Sequence, residues 1–137
     1  MTLVSSEVKV GDMLPTVHVV AISRATLALF AGASGDHNPM HIDLDIARSA
    51  GLDDVFVHGM LSMAYLGRVL TDWVPVEQLR EYRVRFGAIT PVHAEPIAEA
   101  QVTAIEDVDG ERRATLDVSV TLADGTVTLT GAAIVAL

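Results

Sequence analysis

The segment HGMLSMAYLGRVLTDW, residues 58–73, limits the fold more than any other stretch of this chain. It has helical length and is apolar on nearly every side, and such a helix is normally covered all round. Met60, Leu61, Met63, Ala64, Leu66, Val69 and Leu70 form its expected buried set, and Pro75 marks a stop just beyond it. The rest of the chain has to supply a wrapper.

That wrapper is written in period two. In RATLDVSVTL, Ala114, Leu116, Val118, Val120 and Leu122 share one face, with Thr115, Asp117, Ser119 and Thr121 on the other. TVTLTGAAIVAL alternates in the same way, and Asp124-Gly125 between the two runs is a hairpin signal. IAEAQVTAI supplies a further strand, and in EYRVRF Tyr82, Val84 and Phe86 oppose Arg83 and Arg85. Upstream, LPTVHVVAI reads as a strand, followed by a helix RATLALFAGA capped by Ser23, with Leu27, Phe30 and Ala31 on one face. A second, short helix, LDIARSA, is capped by Asp43 and closed by Gly51. One buried helix followed by antiparallel strands predicts an α+β fold, a curved sheet wrapped around a central helix at about residues 59–73. Such a sheet has open edges, and pairing two copies edge to edge covers them, so a homodimer is expected.

At 137 residues the chain has the size of one ordinary domain, and no linker or repeat divides it. Aromatics are scarce, so Ala, Val, Leu and Ile must build the core. A net charge of −9 argues against nucleic acid as a partner. A local arginine cluster, Arg80, Arg83 and Arg85, still allows an anionic small ligand. There is no cysteine, hence no disulfide framework or thiol nucleophile. The N-terminus has no apolar run after a basic start and no segment has the length of a membrane span, so a cytosolic protein without membrane contact is expected.

Against this background GASGDHNPMHID, residues 32–43, gathers an unusual amount of titratable chemistry. Pro39 restricts Asn38 to extended conformations, so the stretch is a turn rather than a helix, with Pro39 opening a short helical turn. Gly35 lets the backbone bend sharply, and the turn can bring Asp36 and His41 into one small volume. A carboxylate beside an imidazole is a general acid–base pair that can deprotonate a water and return the proton. His37 and His41, four apart beside Asp36, also suggest a two-histidine, one-carboxylate iron site. Pro39 lies inside that spacing and removes the helix it assumes, so no metal is expected. Asp43 is read as a helix cap rather than as chemistry. His58-Gly59 opens the apolar helix, whose N-terminal N–H groups can receive developing negative charge on a carbonyl oxygen.

SGDHNPMHID followed by FVHGMLSM resembles the MaoC-like dehydratases and (R)-specific enoyl-CoA hydratases, whose signature reads G-D-x-N-P-x-H-x-D and then H-G-M. Gly35, Asp36, Asn38, Pro39, His41 and Asp43 all align with it. The resemblance covers essentially the whole chain and implies a single hotdog domain over residues 1–137. It implies reversible hydration of trans-2-enoyl thioesters to (R)-3-hydroxyacyl thioesters without metal or other cofactor. Asp36 and His41 match the catalytic dyad, and the Gly59 N–H matches the oxyanion donor. Asn38 and Pro39 shape the loop, while His58 and Met60 fall at the helix entry as binding or loop-shaping positions, with His58 read as structural. The family carries its active site at a dimer interface, with acyl-CoA or acyl-carrier-protein substrates.

One departure concerns the central helix. Some hydratases carry a serine two turns in, where this chain has Gly67, which is expected to make room for an acyl chain; Ser62 is not assigned a role. Arg83 and Arg85 are candidates for a clamp on the carrier's phosphates. The alternatives are the catalytic subunit of a heteromeric 3-hydroxyacyl-carrier-protein dehydratase, paired with a related hotdog subunit, a thioesterase, and a noncatalytic acyl-binding module.

Overall fold

The computed structural model describes residues 5–137; residues 1–4, where the reading of the N-terminus begins, lie outside the described residues. The elements run β1 (Val17–His18), α1 (Arg24–Ser34), α2 (Leu44–Ser49), α3 (Gly59–Thr71), β2 (Leu79–Phe86), β3 (Ile97–Val108), β4 (Glu111–Thr121) and β5 (Val127–Ala136). All strand pairs are antiparallel, in the order β1-β3-β4-β5-β2. Register shifts interrupt the ladders at Val102/Ala104, Val120/Thr121 and Leu79/Glu81. Bulges of this kind increase local twist and bend a strand. The sheet curls around α3, which packs against β1, β2, β3 and β4.

The alternation in the sequence becomes the concave face. Ala114, Leu116, Val118 and Val120 of β4 are buried together with Ala98, Ala100 and Val102 of β3 and Leu129, Ala133 and Val135 of β5. Leu66, Val69 and Leu70 of α3 fill the space in front of them. Asp124-Gly125 forms the expected turn, with the Asp124 carboxylate accepting the Thr126 N–H at 2.9 Å. Asp109 and Gly110, both at positive φ, make the matching hairpin between β3 and β4. At Gly131 strands β5 and β2 come so close that a Cβ would lie 2.0 Å from the Arg83 carbonyl oxygen. Only glycine fits there.

Two expectations are corrected. The strand expected over LPTVHVVAI shrinks to Val17–His18. The chain follows β3 on either side of it through spaced bonds, Leu14 N–H to Ala100 O at 2.9 Å and Val19 N–H to Pro96 O at 2.9 Å. The central helix is not covered all round: Met60 is 58% exposed, and Ala64 is exposed one turn on. The sheet reaches only one side of α3, and among the described residues of one chain nothing covers the stripe through positions 60, 64 and 68.

Candidate active site

The motif loop is built by capping. Ser23 accepts the Thr26 N–H at 3.1 Å and starts α1. Gly35 ends it in the left-handed conformation, φ 78°, donating its N–H to Ala31 O at 3.0 Å. The Asp36 carboxylate then accepts the Asn38 N–H at 3.2 Å, and the Asn38 amide oxygen accepts the Met40 N–H at 3.1 Å. Pro39–His41 is one turn of 3-10 helix with Pro39 at its start. Asp43 accepts the Asp45 and Ile46 N–H groups and caps α2.

These turns deliver His41 into the interior, 6% exposed, while Asp36 stays at the surface. His41 Nδ1 lies 2.8 Å from the Phe56 carbonyl oxygen. A carbonyl only accepts, so Nδ1 carries the proton and Nε2 of the neutral ring keeps its lone pair. The His41 ring meets Phe56 edge to face at 4.6 Å and stacks on His58 with centroids 4.1 Å apart. His58 is fully buried, caught between His41 and an edge contact with Phe30 at 4.8 Å. Its Nε2 donates to the Asp36 backbone oxygen at 3.2 Å, leaving Nδ1 with its lone pair. Among the described residues that buried Nδ1 has no hydrogen-bond partner. Burial, followed by the proximity of His41, lowers the His58 pKa.

Asp36, His41 and His58 each offer one ligating atom within 4.8 Å of the others. The Asp36–His41 pairing expected from the turn is therefore present. Two imidazoles and a carboxylate form a donor set that suits zinc or iron. The cluster takes in His58 and not His37, which differs from the spacing-based metal reading.

Gly59 starts α3 beside this cluster. Leu61 and Ser62 both donate to His58 O, at 3.0 and 3.2 Å, so the Gly59 N–H has no acceptor inside the helix. A cavity of about 330 Å³ opens against it, lined among others by Phe56, Gly59, Ser62, Phe86, Thr90 and Leu129. Asp36 and His41 are not part of that lining; Phe56, whose ring packs edge to face against His41, is. The Cβ side of Gly59 is covered by Phe86, whose ring would lie 3.0 Å from an added Cβ. Ser62, left without a role by the sequence reading, is buried and its Oγ lies 3.5 Å from Thr90 Oγ1. Its place three residues after Gly59, on the same helix face, was the available signal.

The remaining expected residues stand apart. Met60 points away from the core, on the open side of α3. Gly67 faces Tyr82, whose ring carbon would be 3.8 Å from a Cβ, so Tyr82 and not open space for an acyl chain lies above it. Tyr82 donates to the Met63 carbonyl at 2.6 Å, and its burial raises its pKa. Phe86 and Tyr82 turn toward α3, so Arg83 and Arg85, alternating with them, face the other side of β2. They line a shallow depression with Thr130, Gly131 and Ala132, on the sheet face opposite the dyad. Arg80 is committed elsewhere: it forks onto Glu111 at 2.9 and 2.8 Å, and Arg80 with Arg113 holds that carboxyl at about 2.

A family model described as MaoC like domain matches residues 6–124. The chain is 30% identical over 117 residues to 3-hydroxyacyl-thioester dehydratase Z of Mycobacterium tuberculosis, covering 80% of this chain and 78% of that protein. It is 30% identical over 115 residues to the (R)-specific enoyl-CoA hydratase of Aeromonas caviae, covering 82% of this chain and 84% of that protein. Among solved structures, the (R)-hydratase of A. caviae involved in PHA biosynthesis superposes with a TM-score of 0.85 at 27% identity, over 97% of this chain and 99% of that one.

Proposed function

The chain belongs to the MaoC-like domain family, and from that premise we propose how its site hydrates an enoyl thioester. The protein is a hydro-lyase with the hotdog fold, interconverting trans-2-enoyl thioesters and (R)-3-hydroxyacyl thioesters. The observation that carries the site assignment is the meeting of Asp36 and His41 within 4.8 Å beside the N-terminus of α3.

In hydration, a water sits between the Asp36 carboxylate and His41 Nε2. Its oxygen bonds to C3 as the pair takes its proton, and electron density moves through C2 to the thioester oxygen. The Gly59 N–H and the α3 dipole receive that charge. The pair then returns the proton to C2, so water adds in full and nothing is left on the protein. The Phe56 carbonyl holds the His41 ring so that Nε2 faces the water and stabilises the imidazolium when it forms.

A second copy of the chain pairing along the exposed β2 edge would complete the wall beyond Phe86 and cover the Met60 stripe; the assembly is read as a homodimer of single-domain chains. A related hotdog subunit could take the second copy's place. The carrier, CoA or acyl-carrier protein, and a cytosolic location belong to the same proposal. Steady-state hydration of crotonyl-, octenoyl- and dodecenoyl-CoA by the purified chain tests the reaction, and its mass in solution tests self-sufficiency. Release of free thiol instead of loss of enone absorbance would replace hydration with hydrolysis.

A further inference from the structure

We infer that His58 is a positioning residue of this site, an imidazole that fixes the dyad from behind. The inference rests on the hydratase reading. His58 is fully buried and is not itself part of the cavity lining, which its neighbours Val57 and Gly59 form in part. It holds both members of the dyad at once: its Nε2–H donates to the Asp36 backbone oxygen at 3.2 Å, and its face stacks on His41 at 4.1 Å. As the N-cap residue of α3 it also precedes the proposed oxyanion donor directly, so one side chain ties the motif loop to the helix end.

The orphan Nδ1 separates this role from simple core filling. A buried acceptor without a partner costs stability, and a hydrocarbon side chain of similar size would not carry that cost. Imidazole is thus a poor choice for packing alone but a good one for this geometry. A flat neutral ring can stack on His41, and its Nε2–H reaches the Asp36 carbonyl. The titratable groups facing it are His41, from the turn, and Asp36; α1 presents only the Phe30 ring.

The test uses His58→Gln, whose amide can replace the Nε2–H donor, and His58→Leu, which cannot. His58→Leu is expected to lose at least about tenfold in kcat with KM within about twofold and no fall in Tm. His58→Gln is expected to recover most of that kcat. Wild-type kcat in His58→Leu, or equal losses in both variants accompanied by a lower Tm, would overturn the role. Nitrogen-15 spectra of the histidine side chains give a readout independent of turnover. They should show the His58 proton on Nε2, facing the Asp36 carbonyl. A His58 that carries its proton on Nδ1 overturns the inference. If the wild-type chain hydrates no enoyl thioester, the hydratase reading fails, and the spectra still decide how His58 is held.

Discussion

The imidazole of His58 lies stacked on that of His41, centroids 4.1 Å apart and planes 29° apart, with one ring sealed in the core and the other at its margin. Burial of His58 makes stability depend on acid. An unfolded histidine takes up a proton near about pH 6.5, whereas folded His58 resists it. Below that pH the unfolded chain binds the extra proton, so stability is lost as pH falls through about 6.5 toward the lowered folded value. Tm measured from pH 8 to pH 5 should decline in the wild type and decline less in His58→Gln. Parallel curves would contradict this.

Gly131→Ala should be among the most damaging small substitutions in the sheet. Its Cβ would stand 2.0 Å from a backbone oxygen of β2, and neither strand can yield without breaking ladder bonds. A loss of about 3 kcal/mol or more in urea unfolding is expected, at the upper end for overpacking. A loss below about 1 kcal/mol would mean that the strands separate easily there.

Asn38→Ala removes the acceptor for the Met40 N–H and so the cap of the turn that carries His41. The expected cost is about 1 kcal/mol of stability, typical of a lost cap. A fall in kcat should come with it, because Asp36 also loses its fixed register to His41. Unchanged kcat would separate the loop's geometry from the chemistry.

How much of this could be read from the sequence depends on the range of the contacts. Ser23 and Asp43 act on backbone within three residues, so their caps were legible as spacing. The period-two runs gave the concave face because alternation alone decides which side a residue takes. The contact of Phe86 with Gly59 joins elements 27 residues apart and depends on how β2 lies against α3, which no local pattern states. The open stripe on α3 was missed because apolar character says that a surface avoids water but not which chain covers it. Asp109-Gly110, like Asp124-Gly125, is a hairpin signal that local chemistry alone writes.

Phe86→Ala should change which substrates the site accepts. The ring covers Gly59 and walls the cavity, yet Phe86 is 51% exposed at a strand end, so its loss costs the core little. The ratio of kcat/KM for dodecenoyl-CoA over crotonyl-CoA should rise by about tenfold, the scale of a few apolar contacts. An unchanged ratio would place the acyl chain elsewhere.

The central claim is that Asp36 and His41 together activate water beside the α3 N-terminus, and crotonyl-CoA hydration by Asp36→Asn and His41→Ala tests it most directly. Each kcat should fall by about 10²-fold or more, as for loss of a general acid–base group, with the fold intact by circular dichroism. Turnover like that of the wild type in either folded variant would contradict it.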